Sequence, residues 1–173
     1  MNNEKNFLKE LDYLKIIGVL LVVIGHCTSI YTGGWVFTSP VNSPIYGLIA
    51  SYVYTFHVPM LVFISGSIYY YCRINKGKYT TLKSLIVNKL KRLIVPFLFM
   101  GIFYSIPIKY IIGMTDGNIF SNIKSFILGL NTGHLWFLLM LFNTFILFYL
   151  YERFVLNKKY SIILNLILFN ILY

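Results

Sequence analysis

The chain alternates between long apolar runs and short polar connections. The runs cover roughly residues 14–31, 45–72, 93–115, 135–151 and 160–173. A helix needs about 20 consecutive apolar residues, within a range of about 17–25, to cross the hydrocarbon core of a bilayer. The pattern therefore predicts an all-α fold, a polytopic membrane bundle of about five transmembrane helices. The second run is long enough to tilt or to lie partly in the interface, and Pro59 predicts a kink within it. The third is interrupted by Pro96, Pro107 and Lys109. The fifth, Tyr160–Tyr173, offers 14 residues, about 21 Å of helix at 1.5 Å each, which reads as a span cut short. No internal repeat, low-complexity linker or soluble domain breaks the pattern, so residues 1–173 read as the N-terminal part of a single membrane domain.

Charge on the connections orients the bundle. Lys5, Lys9 and Lys15 precede or enter the first run, and Thr32–Pro44 carries no charge. The next connection, "RINKGKYTTLKSLIVNKLKR", holds seven basic residues and no acidic one. Asp116 and Lys124 follow, then Arg153, Lys158 and Lys159. Basic residues favour the cytoplasmic side, and their alternation places the N-terminus there.

Composition agrees. The chain is 58% hydrophobic and 12% charged, with mean hydropathy +0.72, whereas soluble domains run near half apolar and about a quarter charged. A formal charge of +10 would suggest nucleic acid in a soluble protein. Here the basic residues gather between apolar runs, so topology accounts for them and nucleic acid is excluded as a partner. Glu4, Glu10 and Asp12 spoil the basic start of a cleavable signal peptide. Cys27 and Cys72 fall toward opposite faces of the bilayer, and neither CxxC nor metal-ligand spacing occurs, so no metal is expected.

Polar residues inside the runs carry the candidate chemistry. Lys15 and His26 are 11 residues apart in "LDYLKIIGVLLVVIGHC". On a helix that separation puts both on one face, about 16 Å apart along the axis. Asp12 is an i,i+3 neighbour of Lys15 on that face. A snorkelling lysine and a hydrogen-bonded packing histidine account for the same residues, but an intramembrane histidine is by default a functional candidate. In "TFHVPMLVFISG", His57 lies at a depth comparable with His26, and Pro59 withholds a hydrogen bond from the backbone nearby. Ser65 and Gly66 would allow close helix packing there. A packing kink with one satisfied histidine is the plain alternative. Lys89, Lys91 and Arg92 in "VNKLKRLIVP" serve topology and anionic lipid, or a phosphate-bearing cytosolic ligand. His134 and Trp136 in "TGHLWFLLML" stand at the outer entrance of the fourth run, where a Trp is ordinary.

Taken in order, "LDYLKIIGVLLVVIGH", "FHVPMLVFISG", "KRLIVPF" and "HLWFL" resemble the membrane-bound acyltransferase 3 family, whose members O-acetylate sugars of bacterial surface glycans. The resemblance covers essentially the whole chain. It implies a multi-pass enzyme of the cell membrane that takes an acyl group, acetyl above all, from cytosolic acyl-CoA as co-substrate, with no bound cofactor. The acceptor is a carbohydrate hydroxyl on the other side of the bilayer. The family's basic-residue, ten-position, histidine pattern falls on Lys15 and His26, and its arginine-containing stretch on Lys91 and Arg92, where lysine replaces much of the usual arginine. The resemblance thus implies His26 as the catalytic residue, acting as general base or as a transient acyl carrier. It implies Lys15, Lys91 and Arg92 as the acyl-donor contacts, and the residues themselves offer Asp12, His57, His134 and Trp136 as candidates to line the site. Family members are about twice as long, so it further implies that a missing C-terminal half is needed and that this chain alone is inactive. Two other functions stay open: a non-enzymatic transporter-like membrane protein, and a non-functional remnant of a truncated gene.

Overall fold

The chain packs helix on helix. A computed structural model describes residues 2–32, 41, 43–114 and 118–156. Among them are five helices and no strand: α1 (Asn2–Ser29), α2 (Pro44–Ile74), α3 (Leu82–Ile111), α4 (Ile119–Ile127) and α5 (Gly133–Phe154). Three of these, α2, α3 and α5, are long and apolar enough to cross a membrane. The first predicted run is the C-terminal stretch of α1, whose N-terminal half carries charged residues from Glu4 to Lys15. The fifth predicted run, 160–173, lies outside the described residues.

Two units, Met1–Lys78 and Tyr79–Tyr173, divide the chain. The first is the α1–α2 pair. On α1, Leu11, Gly18, Gly25 and Ser29 are buried. On α2 the buried residues include Ala50, His57, Ile64 and Tyr71, seven apart like Leu11, Gly18 and Gly25, with Val53 between the first two. A seven-residue repeat keeps one seam facing a partner along two helices. The pairing is antiparallel. Phe7 meets the Tyr71 ring at 5.8 Å, Gly18 faces Met60 and Leu61, Gly25 faces Val53 and Tyr54, and Tyr31 meets Tyr46 at 4.9 Å. Antiparallel packing also carries Cys27 and Cys72, both free, to opposite ends of the pair. The close approach is made at Gly18 and Gly25. Gly66, expected to serve that purpose, is exposed, and a Cβ there would meet nothing within 4 Å. Small residues let helix backbones approach only where they face the partner.

The second unit corrects the sequence reading at three points. Leu82–Arg92, taken as a loop, is the start of α3. Thr81 caps it by accepting a hydrogen bond from Ser84 N at 3.2 Å, so the helix begins eleven residues before the predicted run. Pro96 and Pro107 do not interrupt α3. Each is preceded by a π turn, Leu90–Ile94 and Gly101–Ser105. There Val95 N bonds Leu90 O and Ile106 N bonds Gly101 O. A proline ring collides with the carbonyl four residues back in an α-helix. Widening the preceding turn to i→i+5 relieves that collision without breaking the rod.

The third point is the 116–132 connection, which contains the nine-residue helix α4. Asn118 caps it, accepting from Phe120 N at 3.2 Å. The inner face of α4 packs Ile123 and Phe126 against Phe97 and Ile106 of α3 and Leu135, Leu138 and Leu139 of α5. Phe126 stacks on Phe97 at 4.5 Å and lies flat over Gly101, whose missing side chain makes the space. The return from α4 to α5 needs left-handed backbone at Gly129, Asn131 and Gly133. Lys109, read as an interruption of the third run, donates to Asn131 O at 3.2 Å and ties that turn to α3. At the opposite end of α5, Tyr149 donates to Thr80 O at 3.2 Å, so α5 returns antiparallel to the start of α3.

Candidate functional site

His26 lies in the last turn of α1, partly buried, where the seam of that helix meets α2. Its Nδ1 is 2.9 Å from the Tyr54 hydroxyl, with the two rings edge-on at 6.0 Å and 71°. Gly25 makes this contact possible. A Cβ there would sit 3.1 Å from Val53 and 3.8 Å from the edge of the Tyr54 ring, so α2 approaches α1 closely just beside the histidine.

Tyr54 stands one turn before His57 on α2. The two rings meet edge-on at 5.1 Å and 84°. His57 is 5% exposed, the most buried of the three histidines. Its Nδ1 lies 2.8 Å from Val53 O. A carbonyl oxygen only accepts, so His57 Nδ1 carries a hydrogen and donates it. In a neutral imidazole that leaves Nε2 as an acceptor. His26, Tyr54 and His57 therefore form one polar cluster along the α1–α2 contact, with His57 buried, His26 partly buried and Tyr54 exposed. Polar groups placed within a membrane are costly unless satisfied, and they mark functional positions.

Toward the other end of α1, Lys15 Nζ donates to Asp12 Oδ1 at 2.7 Å, as the i,i+3 spacing predicts. Both side chains are open, at 47% and 68% exposure, so the pair is accessible to a ligand. Because α1 is continuous from Asn2 to Ser29, Lys15 and His26 share a helix face.

The basic trio before the third run divides into two roles. Lys89 Nζ sits 3.3 Å from the Phe145 ring centroid and 5.4 Å from that of Tyr79. It is held by aromatic faces within the second unit. Lys91 and Arg92, in the π turn, are exposed. Spacing alone could not divide the three residues, because the selection is made by Phe145, over 50 residues away. His134 and Trp136 are exposed at the start of α5, and the Trp136 ring meets Phe137 edge-on at 6.3 Å. Lys109 approaches Gly133, beside His134.

Sequence reasoning missed Tyr54 and Gly25. The local signal for Tyr54 was its place three residues before His57, which puts both rings on one side of α2. Its link to His26 spans 28 residues and depends on the register of the pair. Among the described residues no group of three or more His, Cys, Asp or Glu side chains could hold a metal ion.

No curated protein and no solved structure gives a significant match to the chain. The profile of the acyltransferase 3 family, described as an acyltransferase domain, matches residues 8–173 and so takes in most of α1, His26 included, and α2 to α5. With helices apolar enough to span a bilayer, the chain belongs to the acyltransferase 3 family and is a membrane acyltransferase.

Proposed function

We propose that this protein moves an acyl group, acetyl in the simplest case, from acyl-CoA to a hydroxyl of a cell-envelope or secreted carbohydrate, with His26 as the catalytic residue. Membership of the acyltransferase family supports the reaction class. The observation that carries the residue assignment is the α1 histidine whose Nδ1 lies 2.9 Å from the Tyr54 hydroxyl.

An alcohol is a weak nucleophile until its proton is removed, and a neutral imidazole within hydrogen-bond reach can take it. In the proposed step the lone pair on His26 Nε2 accepts the hydroxyl proton while the oxygen attacks the thioester carbonyl. The tetrahedral intermediate collapses and the carbon–sulfur bond breaks. The leaving thiolate takes the proton back from the imidazolium, giving an ester, free CoA and the starting histidine. Lys15, Lys91 and Arg92 serve as cationic contacts for the CoA phosphates. A guanidinium fork and ammonium point charges both suit phosphate oxygens, and all three side chains are exposed. His57 lines the site through its contact with Tyr54. Asp12 holds the Lys15 ammonium in place, and His134 and Trp136 face the acceptor. The protein resides in the cell membrane with its N-terminus in the cytoplasm, which puts the donor and the acceptor on opposite sides.

The test is a transfer assay in membrane vesicles from a host carrying the native gene, with the acyl group of acyl-CoA isotopically labelled. Alkali-labile label in the glycan, absent from vesicles of a deletion strain, supports the proposal. Equal ester label with and without the gene contradicts it.

A further inference from the structure

The cluster around His26 goes beyond one catalytic side chain, because its geometry bears on which ring nitrogen reacts. His26 Nδ1 is 2.9 Å from the Tyr54 hydroxyl. The phenol, though 38% exposed, has neighbours on two sides. One edge of its ring lies 3.8 Å from where a Gly25 Cβ would stand, and His57 packs edge-on against it at 5.1 Å. His57 is in turn fixed by its donation to Val53 O at 2.8 Å, one turn back on the same helix. The hydroxyl is thus presented to His26 from a ring set between Gly25 and His57.

A phenol can either donate to Nδ1 or accept from it. If it donated, the Nδ1 lone pair would be occupied, Nε2 would carry the hydrogen, and the ring would have no free lone pair for a substrate. If it accepts, Nδ1 carries the hydrogen and the ring's lone pair lies on Nε2. The accepting arrangement also survives the reaction. An imidazolium donates from both nitrogens, so Nδ1–H keeps the same partner before and after proton uptake and the site need not reorganise.

We propose that Tyr54 is a positioning residue whose phenol oxygen accepts the Nδ1–H of His26, fixing the tautomer that leaves Nε2 as the reacting nitrogen. This rests on the reading of His26 as the base. Tyr54 takes the place that a carboxylate fills in other histidine-centred sites, where a third group orients the base. A neutral phenol suits a membrane interior, where an unpaired carboxylate would be costly.

Two measurements on the whole protein in lipid bilayers test it. The first is ¹⁵N NMR of histidine-labelled protein, with the His26 signals assigned by their loss in His26→Ala. The proposal expects the Nδ1–H tautomer at His26 in the unsubstituted protein and a shift toward Nε2–H in Tyr54→Phe, which keeps the ring and loses the oxygen. An Nε2–H tautomer in the unsubstituted protein, or one unmoved by Tyr54→Phe, overturns it. The second is acyl transfer. Tyr54→Phe should lower kcat about tenfold or more, the scale of one lost hydrogen bond to a charged group, with KM for acyl-CoA unchanged. A rise in KM with kcat intact overturns the positioning role. If His26→Ala retains full transfer, the functional reading fails, whereas the tautomer result stands or falls on its own.

Discussion

The ammonium of Lys89 lies 3.3 Å from the centre of the Phe145 ring, which separates it in role from Lys91 and Arg92 only a few residues on. One basic stretch thus supplies an internal clamp between α3 and α5 and an exposed cationic pair. Lys89→Met should lower the stability of the detergent-solubilised protein by about 0.5–2 kcal/mol, the range for cation–π contacts, and leave KM for acyl-CoA unchanged. Lys91→Ala and Arg92→Ala should do the reverse, raising that KM with little change in melting temperature. Thermal unfolding and donor-dependence curves of the three variants check the division.

Gly101 should tolerate no side chain while Phe126 is present, because a Cβ there runs into the ring that covers it. Overpacking of this kind costs about 1–3 kcal/mol. Gly101→Ala should therefore lower the melting temperature, and adding Phe126→Leu should recover part of the loss. A double-mutant cycle measures the coupling directly. Additive effects would show that α4 does not rest on α3 at this point.

The two seam glycines of α1 should respond differently. A Cβ at Gly18 meets the tips of Leu61 and Met60, which can swing away, whereas a side chain at Gly25 meets Val53 beside the His26–Tyr54 contact. Gly18→Ala should keep transfer within a factor of about three. Gly25→Val should lower it at least about tenfold by parting the helices at the site, the scale expected when a small misplacement disturbs a reacting group. Parallel rate measurements at matched membrane levels test both.

Much of this architecture was legible in the pattern of apolar runs. A bilayer forces hydrogen-bonded helix wherever a long apolar stretch crosses it, which is why α2, α3 and α5 fall on predicted runs. Their limits were less legible. Leu82–Arg92 reads as loop because its charges mask a helix that Thr81 starts. Pro96 and Pro107 read as breaks because a propensity argument does not anticipate two π turns. Lys15, His26 and Asp12 were visible because their relation is local to one helix. The partnership of His26 with Tyr54 was not, since it depends on how Gly18 and Gly25 set the register of α1 on α2.

Alternating charge on the connections predicts sidedness. Cysteines introduced one at a time as Thr38→Cys and Lys83→Cys, in a background with Cys27 and Cys72 replaced by serine, should label oppositely with a membrane-impermeant thiol reagent. Residue 38 should react in intact cells and residue 83 only after permeabilisation. Reaction of residue 83 in intact cells would place the cationic pair of Lys91 and Arg92 on the wrong side for a cytosolic donor.

The central claim is that His26 takes the acceptor's proton, and its most direct measurement is the rate of acyl transfer by His26→Ala at a membrane level equal to that of the unsubstituted protein. Loss of a general base costs about 10²–10⁴-fold in rate. The account predicts a fall of at least about a hundredfold, with insertion and melting temperature little changed. A rate within a few-fold of the unsubstituted protein would contradict it and return His26 to the role of a packed, hydrogen-bonded residue of the α1–α2 seam.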